Sequence, residues 1–145
     1  MNADLNEQEQ FDELCFYTLS HGDPAFIHQY AVDAFAAQHA SAESKPVSIT
    51  FALIGLYLHL EHGYTGREVQ LAHMHLARPP RRQWPRLPPP QQRGDMRVGD
   101  ILAAAPGTER DRALDEWCRS VWETWQHARG EIIQLCDELL PASRV

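Results

Sequence analysis

Apolar residues recur at helical spacing along most of the chain, and no segment alternates between apolar and polar positions as a half-buried strand does. Phe11, Leu14 and Thr18 share one helical face ahead of Gly22, a residue type that commonly ends helices. This pattern predicts a first helix over residues 4–20. Because strand patterns are absent, the predicted fold class is all-α.

Prolines mark the starts of the next two helices. Asp23 is a favourable N-cap and Pro24 a favourable first helical residue, so a second helix is predicted from there to about residue 40. Pro46 opens a third helix, which should end at Gly63. Its middle is an almost unbroken apolar run, which is typical of a helix buried on all sides.

A capping box and a run of prolines bound the fourth helix. Thr65 and Glu68 have the spacing at which the threonine caps the amide of the glutamate and the glutamate reaches back, so a helix is predicted to about residue 77. Residues 79–94 contain six prolines. Proline removes a backbone donor and fixes φ, so this segment is predicted to be an extended surface connector without helix or strand.

The C-terminal part predicts a short helical turn at 98–104 and then one long helix over residues 108–139. Apolar residues of the long helix are spaced alternately by four and three positions, as in a heptad seam. The seam residues are Leu114, Cys118, Val121, Trp125, Ala128, Ile132, Leu135 and Leu139. Two interpretations stay open: the packing face of a helix bundle, or the seam of a coiled-coil homodimer.

A length of 145 residues suits a single domain with an ordinary core. We therefore predict one domain over residues 1–145, built as an all-α bundle of four or five helices. The proline-rich segment 79–94 is its predicted crossover before the long C-terminal helix.

The charge of the chain is uneven. The net charge of −7 argues against a general nucleic-acid binder or a protein of anionic membranes. Residues 78–97, however, hold six arginines and one acid. The arginines are Arg78, Arg81, Arg82, Arg86, Arg93 and Arg97. They could grip an anionic ligand or nucleic acid, or they could form a solvated loop that pairs with the acidic body.

Cysteine usage and the N-terminus favour a cytoplasmic location. The three cysteines show no CxxC spacing and make no disulfide framework. Residues 1–10 are acidic and polar, unlike a signal peptide. The longest apolar run is about 14 residues, short of the roughly 20 that span a bilayer, so no membrane partner is expected. The strong excess of arginine over lysine is typical of a GC-rich bacterial genome.

His59 is the most informative of the eight histidines, because it lies in the apolar third helix. A buried imidazole without a partner costs about 1–3 kcal/mol, so we expect a hydrogen bond, a metal or a ligand there. Asp33 also lies in a largely apolar helix, and a buried carboxylate needs a partner. An Asp33–His59 pair would make these two residues the catalytic candidates, or a purely structural pair.

Folding the first three helices as antiparallel hairpins brings one possible ligand set level at one end of the bundle. The set is Cys15, His28, His59 and His62. Thiolate and imidazole are ligands that zinc prefers, so zinc or another divalent metal is the cofactor hypothesis. Two alternatives stay open: a hydrogen-bonded cluster without metal, and simple surface exposure of most of the histidines. His39 is excluded as a companion ligand of His28, because eleven helical residues separate them by roughly 16 Å.

Three further residues are candidates for contacting a small-molecule ligand. Trp122 lies beside the heptad seam instead of in it, which favours a pocket or an interface. The hairpin folding places His73 near Gly55, about one turn from His59. His39 is the third candidate, with a helix-end position as its alternative interpretation.

The blocks Gly22–His39, Gly55–Glu61 and Trp117–Trp125 resemble a family of small bacterial proteins known only as a domain of unknown function. The resemblance covers most of residues 11–136 and rests on a Val-Asp-Ala-aromatic-Ala-x-Gln-His block and a tryptophan-rich last helix. Some members begin with a cysteine pair that resembles a zinc knuckle. This chain has no such pair there, and the resemblance implies no activity.

The motifs HExxH, GxSxG, GxGxxG and the P-loop are absent from the sequence. The leading hypothesis is a small cytosolic binding protein with a buried, histidine-lined polar or metal site. The alternatives are an enzyme that uses an Asp–His pair or a metal-bound water, and an interaction module that dimerises through its last helix.

Overall fold

The computed structural model describes residues 3–141, with side chains from Asn6 onward, and this part of the chain contains seven α-helices and no strand. The all-α prediction is confirmed. Residues 1–2 and 142–145, which the predicted domain includes, lie outside the described residues. The helices are α1 (Ala3–Leu19), α2 (His28–Gln38), α3 (Pro46–His62), α4 (Gly66–Leu76), α5 (Val98–Ala103), α6 (Thr108–Thr124) and α7 (Arg129–Leu139).

Helix α3 is the centre of the fold. It packs against α2, α4, α6 and α7, and residues 52–58 are all buried. Pro46 is its first residue, and Gly63 ends it with a left-handed φ of 68°. Because α3 is apolar on every side, neighbouring helices can surround it, and polar groups lie near its two ends.

Helix α2 begins at His28, four residues later than predicted from Pro24. Asp23 caps a turn and not a helix: its side chain accepts a hydrogen bond from the amide of Ala25 at 2.9 Å. Phe26 then takes a positive φ of 58°, which interrupts any helix. The turn docks on the start of α4, where the Arg67 amide donates to the Ala25 carbonyl oxygen at 2.8 Å.

The predicted helix over residues 108–139 is wrong as a single element. A 3-10 turn, Gln126–Ala128, separates α6 from α7. Trp125 lies at the break and is fully buried, with its indole N–H donating to the Ala37 carbonyl oxygen at 3.1 Å. Six of the eight seam residues are buried within the same chain, so the seam is used for packing inside the bundle.

The proline-rich segment 79–94 carries no helix or strand. It nevertheless packs against the bundle: Leu87 is buried, and the side-chain amide of Gln38 donates to the Arg93 carbonyl oxygen at 2.8 Å. The predicted capping box of α4 is confirmed, with the Glu68 amide donating to the Thr65 hydroxyl at 3.1 Å. None of the helices in residues 3–141 has the length and apolarity needed to cross a membrane.

Candidate functional site

His59 lies one turn before the end of α3 and faces α6. Its Nε2 is 2.8 Å from Oδ1 of Asp115, and its Nδ1 is 3.3 Å from the carbonyl oxygen of Tyr64. Asp115 also accepts a hydrogen bond from Arg119 at 3.0 Å. The expected polar partner of His59 therefore exists, but it is a carboxylate from α6.

A tyrosine covers the ring of His59. The rings of Tyr30 and His59 stack with centroids 3.6 Å apart, and the Tyr30 hydroxyl donates to the Tyr64 carbonyl oxygen at 2.8 Å. Burial lowers the pKa of His59, while the contacts with Asp115 oppose that shift. Burial likewise raises the pKa of Tyr30, which keeps its hydroxyl protonated as a donor. The cluster joins α2, α3 and α6. A neutral imidazole has one N–H, so His59 donates to only one of its two acceptors at a time.

Both ring nitrogens of His59 face acceptors inside the protein. A general base needs a nitrogen that reaches the proton it abstracts. In this arrangement both nitrogens lie against oxygen atoms of the protein, so Asp115 and the Tyr64 carbonyl are the polar partners that the sequence led us to expect. The catalytic role of His59 stays a prediction that this geometry does not support.

Asp33 is not the partner of His59, contrary to the pair predicted from the sequence. It lies against Gly55, one helical turn before His59 on α3. Its Oδ1 accepts a hydrogen bond from Gln29 at 3.1 Å, and its Oδ2 has no hydrogen-bond partner among the described residues. Burial raises the pKa of Asp33 well above its ordinary range, because the apolar surroundings disfavour the charged carboxylate.

The three histidines among the four residues predicted as metal ligands have separate hydrogen-bond partners. His28 Nδ1 is 2.9 Å from the hydroxyl of Thr18, which itself donates to the Cys15 carbonyl oxygen at 3.1 Å. His62 Nε2 is 2.7 Å from the Tyr57 hydroxyl. Within residues 6–141, no three His, Cys, Asp or Glu side chains form a group that could hold a metal ion. The zinc site remains a prediction from the sequence alone.

The three predicted ligand-binding residues lie apart. Trp122 is buried, and its indole donates to Glu61 at 2.8 Å. The ring of His39 packs against that of Phe35, and its Nε2 is 3.2 Å from Glu7. His73 donates from Nε2 to the Phe51 carbonyl oxygen at 2.7 Å and stacks on the Phe51 ring. Of the three, only His73 adjoins the cleft described next.

A cleft of about 440 Å³ lies between the start of α3, the end of α4 and the proline-rich segment. We call it the cationic cleft. It is lined by Lys45, Val47, Phe51, Leu76, Ala77, Arg78, Pro80, Arg81, Arg82 and Trp84. Four of these side chains carry positive charge and none carries negative charge. Apolar and aromatic side chains make up most of the remaining surface.

The cations of the cleft have no partners within the described part of the chain. No ion pair or side-chain hydrogen bond there involves Lys45, Arg78, Arg81 or Arg82, although all four are exposed. Other arginines of the same region behave differently, since Arg97 pairs with Glu7 and Arg93 binds the Ala40 carbonyl oxygen. The expected pairing of residues 78–97 with the acidic body thus holds for Arg97 and fails for the arginines of the cleft.

The sequence alone did not predict this cleft, because its residues come from separate parts of the chain. The arginine run was visible, but Lys45 and Phe51 come from another part of the chain, and nothing in their spacing relates them to Trp84. The fold brings them together because the proline-rich segment lies across the first turn of α3. The useful signals were the single lysine of the chain and the one tryptophan that lies outside a helical pattern.

Comparison with known proteins identifies the family and no activity. No curated protein and no solved structure matches the chain. The sequence model of one family matches residues 8–126, which include every residue of the cationic cleft and of the His59 cluster. The resemblance seen in the sequence is confirmed, and the chain belongs to DUF5946, a family of unknown function.

Proposed function

We propose that this protein binds a small anionic ligand in the cationic cleft. The observation that carries the proposal is a set of four cations, Lys45, Arg78, Arg81 and Arg82, that are unpaired within the described residues. They surround one concave surface with no carboxylate in its lining. The cleft volume of about 440 Å³ falls in the range of small-molecule sites. Here the proline-rich crossover serves a second purpose, since it builds one wall of the site.

Four like charges on one surface repel each other, and the protein contains 20 acidic residues that could relieve this repulsion. Carboxylates elsewhere do so: Glu61 pairs with Arg129, and Asp115 with Arg119. The cleft lacks such a partner, so an anion from solution would gain attraction there without breaking an internal pair. Guanidinium groups match phosphate and carboxylate in shape, because two parallel N–H groups can donate to two oxygens.

This proposal keeps the binding class expected from the sequence and moves its site. The polar groups of His59 are occupied within the protein, whereas those of the cleft are free to meet a ligand. A metal-dependent or Asp–His enzyme and a homodimer stay predictions from the sequence. A cytoplasmic location belongs to the proposal, and the three free cysteines support it.

Calorimetric titration with inorganic tripolyphosphate at low salt tests the proposal. We expect one binding site whose affinity falls as salt rises. Arg81→Ala should weaken binding about tenfold, because one charge-assisted hydrogen bond contributes about 1.5–3 kcal/mol. Arg112→Ala is the matched control, since Arg112 is an exposed, unpaired arginine of α6 outside the cleft. Equal losses in both variants, or no binding by the wild type, would refute the proposal.

Lys45 offers a second readout, because it is the single lysine of the chain. Acetylation of its amine can be followed by peptide mass spectrometry, which separates it from the N-terminal amine. Tripolyphosphate should slow modification of Lys45 and leave the rate at the N-terminus unchanged. An unchanged rate at Lys45 would place the anion elsewhere.

A further inference from the structure

The cationic cleft contains an aromatic surface beside its charges. Phe51 and Trp84 contact each other edge to face, with ring centroids 5.2 Å apart at 87°. The Phe51 ring also stacks on His73, which is anchored by its hydrogen bond to the Phe51 carbonyl oxygen. These contacts with His73 hold the Phe51 ring in place. Trp84 lines the cleft together with Arg81 and Arg82.

Trp84 differs from the other tryptophans in both burial and hydrogen bonding. Trp117, Trp122 and Trp125 are buried, and each indole N–H donates to an acceptor in the protein. Trp84 is half-buried, and its indole N–H has no acceptor within the described residues. A tryptophan whose ring and N–H are both accessible, beside unpaired arginines, can contact a ligand in two ways: by stacking and by donating a hydrogen bond.

We infer that the anionic ligand is a nucleoside polyphosphate, whose phosphates lie among Lys45, Arg78, Arg81 and Arg82 and whose base packs against Trp84. This inference rests on the proposed anion site and adds the ring. Four cations favour a ligand with several negative charges, and the adjoining aromatic surface favours a planar group on the same molecule that can stack on it. Nucleoside di- and triphosphates combine both features. Arginine and lysine can donate to the phosphate oxygens, and Val47 and Leu76 add apolar surface to the cleft.

A longer polyanion fits the surroundings less well. The net charge of the chain is −7 even with the cleft included, so the surface beyond the cleft is strongly acidic. A single-stranded nucleic acid that extended past the cleft would meet this repulsion, whereas a mononucleotide would not.

The decisive measurement compares ATP, tripolyphosphate and adenosine by calorimetry with EDTA present and ionic strength fixed. ATP and tripolyphosphate present the same number of phosphates, and ATP has one ionisable oxygen fewer, so tighter binding of ATP reports the nucleoside. Stacking on one aromatic ring predicts that ATP binds about tenfold more tightly than tripolyphosphate. Trp84→Leu should abolish this preference and leave the tripolyphosphate affinity unchanged. Trp84→Phe, which keeps a ring, should retain part of it, and Phe16→Leu, at an exposed phenylalanine of α1, should retain all of it.

The outcomes separate the two proposals. Equal affinities of the wild type for ATP and tripolyphosphate would overturn the nucleotide inference and leave the anion site standing. Absence of tripolyphosphate binding would remove the anion site and the inference with it. A preference for ATP that survives in Trp84→Leu would overturn the role of Trp84. Tighter binding of an eight-nucleotide single strand than of ATP would replace the nucleotide by nucleic acid.

Discussion

The His59 cluster and the cationic cleft both contain polar groups near α3, but they treat those groups in opposite ways. At the end of α3, His59 is hydrogen-bonded to Asp115 of α6 and stacked on Tyr30 of α2. At its start, Lys45 and the cleft arginines are exposed and have no partner among the side chains that the structure describes. One region uses polarity to join helices, and the other leaves it available.

This difference separates stability from binding. Removing a member of the buried cluster leaves a polar group unpaired, which costs free energy of folding. Removing an unpaired surface charge leaves no buried polar group without its hydrogen bond, so the free energy of folding should change little. We therefore expect variants of the cluster to unfold more easily, and variants of the cleft to fold normally but lose their ligand.

The contact of Asp33 with Gly55 should be the most sensitive point of the buried region. A methyl group on Gly55 would overlap Oδ2 of Asp33, which is itself buried. Gly55→Ala should lower the free energy of unfolding by about 3 kcal/mol through overpacking, measured by urea denaturation. Gly130→Ala is the control, because a methyl group there meets no other atom within 4 Å, and it should be neutral or slightly stabilising.

A double variant tests the cause of that loss. In Gly55→Ala/Asp33→Ala the carboxyl is gone and the new methyl group occupies its space, so part of the stability should return. A double variant less stable than Gly55→Ala alone would show that overlap with Asp33 is not the reason.

Loss of the His59 ring should have the next largest effect. His59→Ala removes the hydrogen bond to Asp115 and the stack on Tyr30, at a cost of about 2 kcal/mol. The same substitution with Asp115→Ala measures their coupling in a double-mutant cycle, which should exceed about 0.5 kcal/mol. His75→Ala, at a histidine of α4 without side-chain partners in the described residues, should change little. Additive effects of the His59 and Asp115 substitutions would argue against the pair.

Local sequence signals predicted the helices well where a single residue type decides the outcome. Pro46, Gly63 and the Thr65–Glu68 capping box define the ends of α3 and the start of α4 as expected. Two boundaries failed for tertiary reasons. Asp23 and Pro24 suit a helix start, but the turn there docks on α4, and the seam of the last helix bends at Trp125 so that its indole can reach Ala37.

The sites were harder to predict, because their residues come from distant positions. The apolar run around His59 correctly indicated a polar partner. The partner is Asp115, and its position depends on how α6 packs against α3. Asp33 of α2, which is closer to His59 in the sequence, was the partner that we predicted. The cleft joins Lys45 to Arg81 across 36 positions. No periodic pattern in the sequence predicts that Lys45 and Arg81 lie close together. The sequence could therefore suggest an anion site only from its arginines.

The buried carboxyl of Asp33 should make stability depend on pH. Its pKa in the folded protein is raised by burial, above the ordinary value of about 3.9 in the unfolded chain. The stability gained from the neutral form is fully present below that ordinary value and is lost as pH rises toward the folded pKa. Relative to Asp33→Asn, the wild type should lose up to about 1.4 kcal/mol per pH unit above pH 4. Denaturation at several pH values checks this, and parallel curves for the two proteins would contradict a raised pKa.

The smallest effect on stability is expected at the cationic cleft, where the largest effect on binding is proposed. Arg81→Ala should change the free energy of unfolding by less than about 0.5 kcal/mol, because no ion pair or side-chain hydrogen bond is lost. Arg97→Ala, which breaks the pair with Glu7, should cost more. Adding tripolyphosphate at about 100 times its Kd should stabilise the wild type by roughly 2.7 kcal/mol and Arg81→Ala by less. A thermal melt with and without the anion measures both quantities on one sample. If Arg81→Ala were itself destabilised as strongly as His59→Ala, the cleft arginines would belong to the fold, and the contrast between the two ends of α3 would disappear.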